Sequence, residues 1–179
     1  MEELLLLKIA KNAIKSQFDN NNLDKEELLK KHPKLQEKGA VFVTLTIDEN
    51  LRGCVGSLIA HRTLLDDIIQ NAKAAAFEDS RFAPLSKEEF QKIHIEISLL
   101  SIPKKLLYET KEDLKSKIKQ GIDGVILKDG FNQATFLPQV WEQLPSFELF
   151  FAHLCQKAGM SEKCLENHPE IFVYQVKKI

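Results

Sequence analysis

The sequence contains no apolar run approaching the roughly 20 residues that a membrane-spanning helix needs. The stretch Leu4-Leu5-Leu6-Leu7 is too short for the apolar centre of a secretory signal, and no positive leader precedes it. There is no even, framework-spaced set of cysteines. The three present imply reduced thiols in a cytoplasmic protein, not a stapled secreted fold. No lysine/arginine tract occurs, and the formal net charge of -1 gives no overall pull toward DNA, RNA or an acidic membrane. Neither a nucleic-acid nor a membrane partner is expected. Repeats, low-complexity tracts and linker-like stretches are also missing, so residues 1–179 are expected to form a single domain divided at most into lobes. What is present suits a core: 44% of the 179 residues are hydrophobic, enough without a disulfide or a structural metal.

Hydrophobic periodicity supplies the elements. Leu4, Leu7, Ala10, Ile14 and Phe18 predict an amphipathic helix over 2–18, ended by Asn20-Asn21-Asn22. Asp24 caps a short helix to Lys31, stopped by Pro33. A β-rich run over 41–47, the turn Asp48-Glu49-Asn50 and a strand over 51–59 interrupted by Gly53 and Gly56 predict a hairpin. Thr63 opens a helix with Leu64, Leu65, Ile68, Ile69, Ala72, Ala75 and Ala76 on its apolar face, and Ser86-Lys87-Glu88-Glu89 is a capping box. Ile93, Ile95, Ile97 and Leu99 alternate with polar neighbours as a strand closed by Pro103. A helix over 111–119 stops at Gly121, and Lys128-Asp129-Gly130 joins strands over 124–127 and 133–137. Ser146 caps a helix to Lys157, and 171–176 is a closing strand. Hairpin-linked strands mixed irregularly with helices argue for α+β: two interlocked lobes on mostly antiparallel sheet with flanking helices.

Arg52-Gly53-Cys54-Val55-Gly56 is the candidate functional stretch. Two glycines around a cysteine mean a backbone bent tightly or approached closely by another group. Arg52 beside Cys54 would favour the thiolate, the nucleophilic form, although a small buried thiol at a bulged strand edge is the plainer structural alternative. Backbone amides between Gly53 and Gly56 are candidates to hold developing negative charge. The three arginines, Arg52, Arg62 and Arg81, fall in one stretch, which hints at a small anionic ligand or at pairing with Glu78 and Asp79. Asp79-Ser80-Arg81-Phe82 reads as a loop folding back over something, with Asp79 and Arg81 as a ligand-orienting pair.

A series of runs carries a family resemblance. They are Gly39-Ala40-Val41-Phe42-Val43-Thr44-Leu45, Leu51-Arg52-Gly53-Cys54-Val55-Gly56, Ala74-Ala75-Ala76-Phe77-Glu78-Asp79-Ser80-Arg81-Phe82 and Ile95-Glu96-Ile97-Ser98. Gly121-Ile122-Asp123-Gly124-Val125-Ile126-Leu127, Phe136-Leu137-Pro138-Gln139-Val140-Trp141 and Lys157-Ala158-Gly159 follow in order. With these the chain resembles the AMMECR family, known in prokaryotes as protein A of the AmmeMemoRadiSam system. The family usually has isoleucine where Val55 stands. The resemblance implies a two-lobed α+β fold with the cysteine turn near a cleft. It also implies association with a Memo-like protein, related to ring-cleaving dioxygenases, and with a radical SAM protein. It implies no established reaction.

Other constellations carry less. His153, Cys155, Cys164 and His168 have the side chains of a zinc site, but His153 and Cys155, two apart on a predicted helix, point to nearly opposite sides. No metal or cofactor is expected, and a core cysteine is the better account. His61 or His94 could serve Cys54 as a base. The glycines lack the order of a dinucleotide or phosphate loop. The resulting expectation is a small-ligand binding or cysteine-dependent catalytic component with Cys54 as thiol, Arg52 as its electrostatic partner, and Gly53, Gly56, Asp79 and Arg81 around the ligand. The alternative is a non-enzymatic interaction module that docks partner proteins through the same motif.

Overall fold

The computed structural model describes residues 3–19 and 23–179. The expected helix stop at Asn20-Asn21-Asn22 lies outside the described residues, as does the first helix's expected start at residue 2. Helices and antiparallel strands are mixed, as an α+β fold requires. Two compact units result: residues 1–100 with 177–179, and residues 101–176.

In the first unit, β1 (Ala40–Ile47) and β2 (Asn50–Gly56) form a hairpin, and β3 (His94–Leu100) runs along the other edge of β1. The turn is tighter than expected. Ile47 pairs with Asn50, so only Asp48 and Glu49 lie between the strands, both left-handed at φ 49° and 65°. Two successive positive φ angles match the right-handed twist of the flanking strands. Val41, Val43, Leu45 and Ile97 point inward and are fully buried. The same core takes Leu6, Ile9 and Ile14 of α1 (Glu3–Asp19), and Leu65, Ile68 and Ala72 of α3 (Leu64–Phe77). Thr63 caps α3 by accepting the Asp66 amide. Both bonds of the Ser86–Glu89 capping box are present at α4 (Lys87–Phe90), and Asp24 caps α2 (Lys25–Lys31). The chain end joins this unit, with Ile97 and Ile179 exchanging backbone bonds of 3.0 and 2.9 Å.

The second unit carries β4 (Lys104–Leu106), β5 (Asp123–Asp129), β6 (Asn132–Phe136) and β7 (Glu170–Lys178), in the order β4-β7-β5-β6. Its core is aromatic. Trp141 stacks on Phe150 of α6 (Phe147–Lys157) at 3.6 Å between ring centroids, and Val125, Leu127 and Leu114 of α5 (Lys111–Lys117) complete it. The hairpin cue at Asp129-Gly130 holds: Asp129 pairs with Asn132, and Gly130 is left-handed at φ 59°.

Three differences from the sequence reading stand out. The strand β4 was not foreseen, because Lys-Lys-Leu after Pro103 is too short to show alternation. Helix α5 ends at Lys117, not 119, and Gly121, at φ 78°, serves the following turn instead of the helix end itself. The third concerns the thiols. Cys155 and Cys164 form a disulfide with Cα atoms 5.7 Å apart, so the expectation of three reduced cysteines is corrected. They lie nine positions apart, and only the chain's return onto α6 through the 3-10 turn Cys164–Asn167 brings them together.

Candidate functional site

The arginine-glycine-cysteine stretch, expected within a strand over 51–59 interrupted by its glycines, lies in β2 with an extra residue in it, as the bulged-edge alternative had it. Thr46 pairs with Leu51 and Ile47 with Asn50, but Leu45 then pairs with Gly53, leaving Arg52 without an opposite number. Such a bulge shifts everything beyond it by one position. Unshifted, Cys54 would face Val43 and point into the core. Shifted, it faces Thr44, on the side of the sheet away from α3 and the core.

The glycines serve close approach. A Cβ on Gly53 would lie 2.0 Å from the Ala75 carbonyl oxygen of α3, and one on Gly56 would lie 2.3 Å from the Phe42 ring. The helix and the ring therefore rest directly on strand backbone, and the small side chains of Ala75 and Ala76 allow it.

Cys54 is half-buried and is the free cysteine of the three. Its sulfur sits 3.3 Å from Thr44 Oγ1. Its amide donates to Asp79 Oδ2 at 2.9 Å, and its carbonyl accepts from Arg81 Nη2 at 3.3 Å. The loop thus satisfies the outer edge of β2 at Cys54 much as another strand would, and removes a free strand edge there. The pair is locked to itself as well: Arg81 Nη2 and Nε donate to the two Asp79 oxygens at 2.7 and 3.0 Å. These bonds, with Arg81 first and the Cys54 amide next, hold the Asp79 carboxyl well below the usual carboxylate range. Asp79 has 7% of its side chain exposed and Arg81 54%, so the acid is the covered anchor and the guanidinium is the part that solvent or a ligand can reach.

Arg52, expected as the electrostatic partner of the Cys54 thiol, is engaged by the other side of the loop. Arg52 donates through Nε and Nη2 to Glu89 at 2.8 and 3.0 Å, and through Nη2 to the Ala83 carbonyl at 2.8 Å. The Arg52 bond lowers the Glu89 carboxyl to about 2, aided by the Ser86 amide. Arg81, in contrast, has its pKa raised by Asp79 and donates to the Cys54 carbonyl. The Phe82 ring lies beneath both guanidiniums, 5.7 Å from that of Arg52 and 5.6 Å from that of Arg81.

The three arginines expected to mark one anionic ligand each hold a different carboxylate: Arg52 with Glu89, Arg62 with Asp67, Arg81 with Asp79. Arg62 belongs to a buried network, where Asp67 accepts from Ser57, Arg62, Asn71 and the Val41 amide. The Cys54 amide, expected to hold developing negative charge, is occupied by Asp79. Neither histidine forms the suggested pair. His61 Nδ1 sits 2.9 Å from the Ile59 carbonyl, and His94 lies opposite Thr46, two pairs along from the Thr44–Cys54 row. Thr44 and Glu89 were missed in the sequence. Thr44 was detectable, since a strand with Val43 and Leu45 inward leaves Thr44 outward, but its pairing with Cys54 needed the bulge. Among the described residues no three His, Cys, Asp or Glu side chains gather as metal ligands.

The comparisons bear on what this arrangement belongs to. The family model described as AMMECR1 matches residues 7–179. A protein of Saccharolobus islandicus is 37% identical over 177 residues, covering 93% of this chain and 75% of its own length. One of Methanothermobacter thermautotrophicus is 37% identical over 145 residues, covering 78% and 73%. The crystal structure of the uncharacterised protein PH0010 from Pyrococcus horikoshii superposes with a TM-score of 0.77 at 30% identity, covering 97% of this chain and 88% of the other.

Proposed function

This chain belongs to the AMMECR1 family, and on that premise we propose that it is a small-ligand component whose working group is the Cys54 thiol, acting with Memo-like and radical SAM partner proteins. The observation that carries the reading is a free, half-buried cysteine whose backbone carbonyl accepts from the Arg81 guanidinium. Thr44 Oγ1 can donate to the thiolate, and Arg81 supplies the positive charge near it. Among the described residues Arg81 donates through Nε and Nη2 to Asp79 and the Cys54 carbonyl, which leaves Nη1 to donate to an anionic group of the ligand. Asp79 is a positioning residue: it fixes both the Cys54 backbone and the guanidinium. Arg52 and Glu89 hold the loop from the other side, and Gly53 and Gly56 shape the strand. The partners rest on the family resemblance alone.

The test is the alkylation rate of Cys54 by iodoacetamide in the folded protein, followed by mass spectrometry. Arg81→Ala is expected to slow it several-fold, and Arg81→Lys to restore part of the rate. Equal rates in all three proteins would remove Arg81 from the thiol's chemistry. If Cys54→Ala leaves ligand affinity and every pathway activity intact, the thiol role is gone.

A second reading, docking of partner proteins through the same surface, draws support from the exposure of Arg81, Ala83 and Pro84 on the loop. On this reading Cys54→Ser retains partner capture and Arg81→Glu abolishes it. The reactive-thiol reading expects loss from Cys54→Ser.

A further inference from the structure

We propose that the Cys155–Cys164 disulfide is a redox-controlled clasp that builds one wall of a cavity in the second unit. The proposal is independent of the Cys54 reading.

Helix α6 ends at Lys157, the chain reverses at Gly159 (φ 76°), and the 3-10 turn returns Cys164 to Cys155 in the helix's last turn. The returning segment has few other ties. The backbone amides of Ala158, Gly159 and Met160 bond to α6 carbonyls, and those of Cys164, Glu166 and His168 bond within the segment. Among the described residues none of these bonds reaches a strand. Beyond the disulfide, the segment is held by the packing of Met160 and Leu165 and, at its far end, by Tyr108. That residue packs its ring at a tilt against His168, 4.3 Å between centroids, and donates its hydroxyl to the Pro169 carbonyl at 2.6 Å. The strand β7 that follows is laddered to β4 and β5 on its two edges and stays in place without the clasp.

A cavity of about 250 Å³ opens beside this segment. Glu162, Lys163, Leu165 and Glu166 line it from the segment, and Phe151 and Ala152 line it from α6. The near wall is therefore made of residues that the disulfide ties down. With the bond cut, local hydrogen bonds keep the turn's shape but nothing covalent keeps it against α6.

The chemistry is thiol–disulfide exchange with a dithiol. One dithiol sulfur attacks a protein sulfur and forms a mixed disulfide. Its second sulfur closes the dithiol's own ring and releases the protein. Two electrons pass to Cys155 and Cys164, which take up two protons as thiols, and the dithiol leaves as the cyclic disulfide. Both protein sulfurs belong to fully buried residues, 0% and 1% exposed, so attack follows local opening of the segment.

The experiment treats the folded full-length protein with dithiothreitol, blocks thiols with N-ethylmaleimide and counts labels by mass spectrometry, with hydrogen exchange in parallel. Before reduction one label is expected, on Cys54. During reduction two more should appear, while the amides of β5 and β7 stay protected and those of residues 158–168 exchange at least about tenfold faster. Cys164→Ala should show the same exchange pattern without reductant. If that variant does not fold, the dithiothreitol arm decides alone. Three labels before any reductant, a bond resistant until the whole protein unfolds, or unchanged exchange after reduction would each overturn the clasp.

Discussion

Gly53, Gly56 and Gly121 are all small, but for different reasons, and substitution separates them. At Gly53 the obstacle to a side chain is the backbone oxygen of Ala75, which no rotamer change can move. Gly53→Ala is expected to cost about 3 kcal/mol through displacement of α3 from the sheet. Gly121 has nothing within 4 Å of the Cβ position but a φ of 78°, so Gly121→Ala should cost only about 1 kcal/mol, from backbone strain. Urea unfolding of both variants checks the order, and a Gly53→Ala protein as stable as the parent would refute the close-contact account. The residue-scale surprise is Arg52. The sequence places it beside the thiol, yet its guanidinium serves Glu89, because neighbours along a bulged strand need not share a direction.

At the scale of elements, two assemblies invite measurement. In the loop clamp, the Asp79 and Glu89 carboxyls both titrate below their ordinary ranges. A carboxylate lowered by folding stabilises the fold above its unfolded value, about 4.5 for Glu89, and that contribution is lost as pH falls toward about 2. Stability followed by urea between pH 6 and pH 2 should therefore fall with acid, and less steeply in Glu89→Gln and Asp79→Asn. Solvent reaching Arg81 in one pair and Glu89 in the other screens both and keeps the difference modest. The second assembly joins α3 to β1 through Asp67. Removing its carboxylate leaves the Val41 amide without its acceptor and Arg62 without its charge partner. Asp67→Ala should cost about 3–5 kcal/mol by thermal or chemical unfolding. A loss under about 1 kcal/mol would mean that water replaces the carboxylate freely.

At the scale of the whole molecule, each unit has its own apolar cluster, one aliphatic around α1, α3 and the first hairpin, the other aromatic around Trp141 and α6. Most of this was legible in the sequence. The Thr63 and Ser86 caps, the Asp129-Gly130 hairpin and the alternation of Ile93, Ile95, Ile97 and Leu99 all follow from interactions spanning a few residues, so their cues lie in local order. The AMMECR1 membership was legible for a related reason, since its motifs are contiguous runs. What local order could not contain is the outcome of non-local pairing. The bulge that turns Cys54 away from the core depends on which β1 residue each β2 residue meets. That Arg81, and not Arg52, donates to the Cys54 carbonyl depends on a loop returning from beyond α3. The Cys155–Cys164 bond depends on the chain folding back on α6. Propensity and periodicity act over one or two turns of chain. Register, ion-pair partners and cross-links are settled only when distant segments compete for the same space, and that competition is what the tertiary structure decided.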